Sequence, residues 1–307
     1  MDTKIYTVTR ENYDFQTYCE DHSDIKHIEI YYKKHKAHLN LHDIFLLSCL
    51  HGNLHVAKWL YDLDFHNLIT IKDYKPAIVY KNQQRTFKII CGQGYLDIAK
   101  WLINTFLIKI HAEDDFAFRH SCEWGQFDIA QWLYNLSLTK KSNGLGYGKI
   151  NIHADNDYAF VYSCRNGYLD IAKWLYNFGN VDIHAHNEMA FIHACDLGQF
   201  DVVRWLYTID NYSAYDNFIF SCACAKDDID VLRWIYNINE NIDIRIDDDF
   251  AFNLVCENGY IEIAQWLASI CDSYEITDAT YEYSGSIQFR IKPTAWFHNR
   301  HEFLFIY

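Results

Sequence analysis

Apolar and polar positions along the chain follow one pattern that recurs seven times. In one copy, Phe160, Ser163 and Cys164 are three and four residues apart, which is the spacing of one face of an α-helix. Gly167 follows, and a second amphipathic stretch then runs from Leu169 to Tyr176. Each copy therefore predicts a short first helix, a turn at a residue that favours positive φ, and a second helix.

A cysteine and a tryptophan ten residues apart mark every copy. The pairs are Cys49/Trp59, Cys91/Trp101, Cys122/Trp132, Cys164/Trp174, Cys195/Trp205, Cys224/Trp234 and Cys256/Trp266. Self-similarity at a short period is typical of repeat proteins, in which each unit buries its apolar face against its neighbours. We therefore predict that the seven tryptophans are structural core residues, and not a stacking platform for bases or sugars.

The copies differ at their turns and connections. The sixth has Asp227 where the others have glycine, so we expect its turn to be strained or rearranged. Insertions follow the first and third copies; one contains Pro76, and the other, residues 137–148, predicts a mobile loop.

The small-Cys-x-x-Gly segments and the triplets Ile110-His-Ala112, Ile152-His-Ala154 and Ile183-His-Ala185 resemble the ankyrin repeat. The stretch Gly167–Tyr176 is similar to ankyrin proteins of giant DNA viruses of amoebae (mimivirus-like). The resemblance implies an all-α fold, an ankyrin-repeat α-solenoid of about seven helix-turn-helix units with short β-turn connections. The family's Thr-Pro-Leu-His signature is missing and the connections are short, so we expect stunted hairpin fingers.

The resemblance covers the middle of the chain, which predicts three regions. Residues 1–42 form an N-terminal capping segment, a degenerate repeat, and residues 43–267 form the array. Residues 268–307 form a C-terminal cap or tail, in which Thr280–Ile291 alternates around Ser284-Gly-Ser286 and predicts a β-hairpin.

The net charge of −14 argues against nucleic acid as the ligand and favours a protein partner with a basic surface. The alternative is that the acidic residues only keep the array in solution. No signal peptide or membrane-spanning run is present, so we expect no membrane association. We expect a monomer in the host cytoplasm, with the nucleus or the virion as alternatives. The repeat cysteines are expected to be reduced core residues.

No catalytic motif is present, so we predict a non-enzymatic protein with no cofactor and no metal. His111, His153 and His184 invite a zinc interpretation, but equivalent residues one repeat apart cannot converge on one ion. Hydrogen bonding of each histidine to the backbone is the favoured alternative.

Recognition in ankyrin-like folds uses the concave face, so the positions that vary between copies are the candidates for partner binding. An extra aromatic residue and a neighbouring arginine are typical of binding hot spots. The candidates are Trp124, Arg165, Asn166 and Leu197 after the first helices, and Asp155, His186 and Asp247 at the turn tips, where helix capping is the alternative for the acids.

Two functions follow from these patterns. The first is a protein–protein interaction scaffold that binds a host or viral protein. The alternative is a substrate-recruiting adaptor of a ubiquitin ligase, with the C-terminal tail engaging the ligase.

Overall fold

The computed structural model describes residues 9–22, 24–68, 77–106, 108–139, 148–239, 241–278 and 288–291 of the 307-residue chain. Pro76 and residues 140–147 of the second insertion lie outside the described residues. The chain divides into two compact units, Met1–Ala190 and Phe191–Tyr307.

The first unit consists of consecutive helix pairs. Its helices are α1 (Arg10–Asp21), α2 (Ile25–His35), α3 (Leu41–Leu50), α4 (Leu54–Leu68), α5 (Ala77–Gln93), α6 (Leu96–Thr105), α7 (Ala112–Glu123), α8 (Phe127–Leu138), α9 (Ala154–Arg165) and α10 (Leu169–Tyr176), with a 3₁₀ turn at Lys36–His38. Helix α11 (Ala185–Asp196) begins in this unit and ends in the second.

The second unit continues the pattern and ends in a short hairpin. Its elements are α12 (Phe200–Ile209), a 3₁₀ turn at Ser213–Tyr215, α13 (Asp216–Ala225), α14 (Ile229–Ile238), α15 (Ile246–Glu257), α16 (Ile261–Ile270) and the antiparallel strands β1 (Tyr274–Asp278) and β2 (Gln288–Ile291). Strands β1 and β2 form the one sheet found within the described residues. The prediction of an all-α fold built from helix-turn-helix units is confirmed, and α1 and α2 add a pair ahead of the seven copies.

The predicted hairpin is present, but it begins earlier than expected. Strand β2 matches the second half of the predicted segment, whereas β1 starts at Tyr274, ahead of Thr280. Tyr274 stacks on Phe252 at a centroid distance of 3.8 Å, and its hydroxyl donates to Asp249 at 2.8 Å. Strand β1 therefore packs on the last helix pair because its first aromatic residue covers that pair's core. The predicted turn, 284–286, lies outside the described residues.

The core of each unit is built by the first helices. Helices α3, α5, α7 and α9 pack in succession in the first unit, and α13 packs on α15 in the second. The phenylalanines four residues before the repeat cysteine are fully buried: Phe87, Phe118, Phe160, Phe191, Phe220 and Phe252. The cysteines complete the same layer, and all ten cysteines of the chain are free thiols.

The prediction that the repeat tryptophans are core residues is wrong about their depth. All seven lie on the second helices and are half-buried, outside the fully buried core: Trp59, Trp101, Trp132, Trp174, Trp205, Trp234 and Trp266. The buried stripe of a second helix consists of smaller side chains, as Ile171, Ala172 and Leu175 show in α10. Trp174 directly precedes Leu175, which places it about 100° around the helix at the edge of that stripe. One side of the indole therefore stays accessible.

The half-buried tryptophans still connect neighbouring helix pairs. Four of their rings meet, edge to face, the tyrosine two residues after the tryptophan of the preceding pair, and Trp59 meets Tyr32 of α2 in the same way. The contacts are Tyr32–Trp59 (5.5 Å, 85°), Tyr61–Trp101 (5.7 Å, 87°), Tyr134–Trp174 (5.9 Å, 84°), Tyr207–Trp234 (5.4 Å, 79°) and Tyr236–Trp266 (5.6 Å, 90°). Edge-to-face pairs are stabilising, so these tryptophans link repeats at the margin of the core.

The turns between paired helices need a left-handed residue. Gly125 has φ of 73°, and a Cβ built on it would lie 2.5 Å from the ring of Tyr168, so both backbone and space require glycine. Asp227 adopts the same conformation in the sixth copy, with φ of 58°. The Asp228 N–H still donates to the Ala223 carbonyl at 3.1 Å, so the turn is strained but not rearranged.

Within the described residues, no helix combines the length and the apolar character needed to cross a bilayer.

Candidate functional site

Helix α7 carries a row of aromatic side chains on its outer face. Phe116, His120 and Trp124 are four residues apart, so they fall on one side of the helix. The rings of Phe116 and His120 stack at 5.0 Å, and His120 meets Trp124 edge to face at 5.9 Å. Trp124 closes the row at the end of the helix, where 55% of its surface is exposed.

Helix α9 continues this surface in the next repeat. Tyr158 and Tyr162 stack with their ring centroids 4.0 Å apart. The guanidinium carbon of Arg165 lies 5.4 Å from the Tyr162 ring centroid, and its buried Nε has no hydrogen-bond partner among the described residues. We call the five rings the aromatic surface: Phe116, His120, Trp124, Tyr158 and Tyr162.

Glu123 joins the two helices at this surface. Its Oε2 accepts a hydrogen bond from the Tyr158 hydroxyl at 3.0 Å and lies 3.2 Å from Nδ1 of His120. Asn166 donates through Nδ2 to the Glu123 carbonyl oxygen at 2.7 Å. Burial raises the pKa of Tyr158, and the hydrogen bond to Glu123 and that carboxylate's charge raise it further. The hydroxyl therefore stays protonated and holds the carboxylate in place.

Helix α5 approaches the aromatic surface closely because Gly92 has no side chain. A Cβ built on Gly92 would lie 2.4 Å from Cδ2 of His120. Gly92 occupies the position after the repeat cysteine, which Glu123 and Arg165 occupy in the next two copies. The empty position on α5 is therefore filled by the imidazole of the following repeat.

The opposite end of the first helices carries matched charges. The buried Arg119 donates from Nη1 to Asp155 at 2.8 Å, and from Nε and Nη2 to the carbonyl oxygens of Asp114 and Glu113 at 2.8 and 3.1 Å. Lys88, at the equivalent position of the preceding repeat, pairs with Glu113 at 2.5 Å. The tip acids Glu113 and Asp155 are thus neutralised by the chain itself.

The first turns of α7, α9 and α11 each contain three consecutive left-handed residues. The segments are Glu113–Asp115, Asp155–Asp157 and His186–Glu188, with φ between 52° and 63°. Asn, Asp and His are the residues that tolerate this conformation best apart from glycine. In place of a projecting hairpin, these three connections therefore end in a compact left-handed turn.

The histidine of each Ile-His-Ala triplet is paired with a carboxylate across this turn. Nδ1 of His111, His153 and His184 lies 2.5, 2.6 and 2.7 Å from Asp115, Asp157 and Glu188 respectively. The expectation of backbone bonding is therefore wrong for Nδ1, because the left-handed turn brings residues four apart side by side. The backbone does take part at His111, whose Nε2 lies 3.0 Å from the Gly148 carbonyl oxygen.

Asp115, Asp157 and Glu188 stand just ahead of the apolar faces of the first helices, where the sequence predicts helix caps. That prediction is wrong for Asp115 and Asp157. The second oxygen of Asp115 accepts from the Asn151 N–H at 2.9 Å, and that of Asp157 from the Asp182 N–H at 3.1 Å. Each buried carboxylate therefore ties its own turn to the connection of the next repeat.

The structure brings three predicted partner-binding residues together and places Asp155 apart from them. Trp124, Arg165 and Asn166 lie at the C-terminal ends of α7 and α9, around Glu123. Asp155 lies at the other end of α9, ten residues before Arg165. Its carboxylate is held by Arg119.

His186 is exposed and is the first residue of its left-handed turn. Leu197 is exposed in the second unit. The side chain of Asp247 lies outside the described residues.

Four of the five rings and the role of Glu123 were not predicted from the sequence. The signal was present six residues before the repeat cysteine, where the last five copies have a large apolar side chain: Phe116, Tyr158, Met189, Phe218 and Phe250. A comparison of the residues after the cysteine does not reveal this position, because it lies at the other end of the first helix.

The site offers binding surface and little reactive chemistry. Burial raises the pKa of the Cys49, Cys224 and Cys256 thiols to about 12, and it raises the pKa of Cys91, Cys122, Cys164 and Cys195 further. These thiols are therefore protonated at neutral pH and are not nucleophiles. The described residues contain no cluster of three His, Cys, Asp or Glu side chains able to hold a metal ion.

Comparison with known proteins adds one structural likeness. No family model matches the chain. No curated protein matches it either. The solved structure of an ankyrin repeat family protein from Legionella pneumophila is similar to 77% of this chain over 72% of its own length, at 18% identity and a TM-score of 0.35. The fold described above, a repeat protein of paired α-helices, stands on the helix pairs themselves.

Proposed function

We propose that this protein is a non-enzymatic, ankyrin-type interaction scaffold that binds another protein through the aromatic surface of its first unit. The observation that carries the proposal is the pair of ring rows on α7 and α9, which the Glu123–Tyr158 hydrogen bond joins and which ends at the exposed Trp124. Tryptophan, tyrosine and arginine are the residue types that contribute most to protein interfaces. The resemblance of the repeats to giant-virus ankyrin proteins makes a host or viral protein the partner class.

The surface is preorganised for binding. Stacking fixes Tyr158 against Tyr162, and Glu123 fixes Tyr158 against α7. Side chains that are already ordered lose little conformational entropy when a partner covers them. A rigid surface of this kind favours recognition of a defined segment.

The test is affinity capture from cells with the full chain, compared with a Trp124→Ala, Arg165→Ala variant. We expect the variant to lose the specific partner. Leu138→Ala is the matched control, since Leu138 lies in the same helix pair and is 54% exposed, close to the 55% of Trp124. Equal recovery of the same proteins by all three forms would show that this surface is not the binding site.

A separate proposal is that the protein is a substrate-recruiting adaptor of a ubiquitin ligase. It rests on the sequence and not on a contact of the tail within the described residues. Capture with and without residues 292–307 tests it, because ligase subunits should be lost on truncation while the substrate is retained.

A further inference from the structure

We propose that Glu123 and Trp124 together form a subsite for a lysine or arginine side chain of the bound protein, with an apolar partner residue beside it. This inference rests on the proposed function, and it names the chemistry that the aromatic surface selects. The charge of Glu123 and the rings around it are the two features that define the subsite.

The Glu123 carboxylate carries a charge that the described residues do not match. Its hydrogen bond comes from the Tyr158 hydroxyl and its histidine contact from His120, both through Oε2, and no described lysine or arginine pairs with it. The tip acids Glu113 and Asp155 are different, since each pairs with a cation of the preceding repeat. Glu123 is partly exposed, with 21% of its side chain accessible, so an incoming cation can reach it.

The rings of the surface already bind the chain's own cations. Lys88 lies 5.1 Å from the centre of Phe116, and Arg119 lies 4.9 Å from that of Tyr158. The guanidinium of Arg165 lies over the ring of Tyr162 in the same way. These contacts show that cations are attracted to the faces of this surface, as the quadrupole of an aromatic ring requires.

Trp124 is the ring that this pattern leaves open. No described lysine or arginine lies over it, although tryptophan is the strongest cation acceptor among the aromatic residues. It directly follows Glu123, and its ring is the most exposed of the five. A basic side chain placed between them would gain both a carboxylate partner and a π face, and an adjacent apolar residue would cover the rest of the indole.

The charge of the whole protein favours the same occupant. There are 41 acidic and 27 basic residues, so a basic segment is attracted from a distance. Arg165 is the competing feature, because its guanidinium would attract an acidic residue. The two occupants predict opposite results in a selection experiment.

In the experiment, displayed random peptides are selected for binding to the immobilised full chain. The peptides are about 12 residues long, so that one can span an interface patch. The affinities of synthetic copies of the selected peptides are then measured. We expect selected peptides to combine Lys or Arg with a neighbouring large apolar residue. Replacing the basic residue by norleucine should weaken binding about tenfold, the scale of one charge-assisted contact. Glu123→Gln should weaken the basic peptide by a similar factor and leave the norleucine peptide unchanged.

The matched control is Glu257→Gln, since Glu257 occupies the same position after the repeat cysteine in the seventh copy. It should leave both affinities unchanged. Because the norleucine substitution is in the peptide, its effect does not depend on how the protein variants fold. Raising the salt concentration should weaken the basic peptide more than the norleucine peptide.

The outcomes separate the two proposals. Peptides that require Trp124 but are enriched in Asp or Glu, or that bind Glu123→Gln as well as the parent, would overturn the cation subsite and leave the interaction surface standing. Selected peptides whose binding survives both Trp124→Ala and Tyr162→Ala would overturn the proposed surface itself.

Discussion

The edge-to-face contact between Tyr236 and Trp266 provides the sharpest test of how neighbouring repeats hold together. Trp266→Ala should lower the free energy of unfolding by about 3 kcal/mol, the lower end of the range for a large aromatic residue, because the indole is half-buried. Part of that loss belongs to the ring pair, whose centroids are 5.6 Å apart at 90°. Such pairs contribute about 0.5–1.5 kcal/mol beyond the area that they bury.

A double-mutant cycle isolates this part. Urea unfolding of the parent, Tyr236→Ala, Trp266→Ala and the double variant, followed by circular dichroism, should give a coupling energy of about 1 kcal/mol. The control cycle combines Tyr207→Ala with Trp266→Ala, since Tyr207 contacts Trp234 in the pair before. That cycle should be additive within about 0.5 kcal/mol. Equal coupling in both cycles, or none in the first, would refute the contact as a link between repeats.

Three further predictions concern buried charge, turn strain and thiols. The Arg245 hydrogen bond holds the pKa of Asp249 below its usual 3.8, so this pair stabilises the protein above that pH and is lost as the pH falls through the folded-state pKa. Asp249→Asn should therefore cost about 3 kcal/mol in urea unfolding at pH 7 and much less near pH 2; an equal cost at both would contradict the pairing. Asp227→Gly should raise stability by about 1 kcal/mol in thermal melts because it relieves a left-handed aspartate, whereas Asp227→Ala should not. In native protein at about pH 8, near the ordinary thiol pKa, iodoacetamide should label the half-buried Cys271 well before Cys164. Mass spectrometry measures the two labelling rates, and equal rates would contradict the buried layer of cysteines.

The helix pairs could be predicted from the sequence because their causes are local and repeated. The i, i+3, i+4 spacing of Phe160, Ser163 and Cys164 defines a buried helix face, and the structure buries all three. A glycine after the helix indicates the turn that Gly125 makes. Seven repetitions of the same signals remove the ambiguity that one copy would leave.

The depth of the tryptophans could not be predicted, because recurrence indicates a structural role without saying how far a side chain is buried. Trp174 recurs as regularly as Cys164, yet the cysteine is fully buried and the indole only half-buried. The difference lies in position, since Cys164 faces the neighbouring first helices and Trp174 lies at the edge of the α10 stripe. A large indole at such an edge contacts the next pair while it remains in contact with solvent.

The left-handed turns could not be predicted either, since three consecutive non-glycine residues in that conformation run against intrinsic preference. They persist because tertiary contacts hold them: Asp157 pairs with His153 and also accepts from Asp182 of the next connection. A carboxylate ahead of a helix is more commonly a cap, which is why the sequence favoured that interpretation.

The candidate site was predicted in part. Trp124 and Arg165 stood out as irregular residues in a regular pattern, and they do lie at adjacent helix ends. Asp155 was predicted as a binding residue at a turn tip, and it lies at the far end of α9 from this group, where Arg119 holds its carboxylate. The role of Glu123 depends on a hydrogen bond to Tyr158 of the next repeat, 35 residues away, which no local pattern encodes.

Recurring side chains join the repeats, whereas irregular ones are free to bind, and thermal melts of two tryptophan variants distinguish the two roles. Trp174→Ala removes a recurring, half-buried indole that contacts Tyr134, and it should lower the melting temperature by about 6–10 °C. Trp124→Ala removes an irregular, exposed indole and should melt within about 1 °C of the parent. Equal losses in the two variants, or an unchanged melting temperature for Trp174→Ala, would contradict the account.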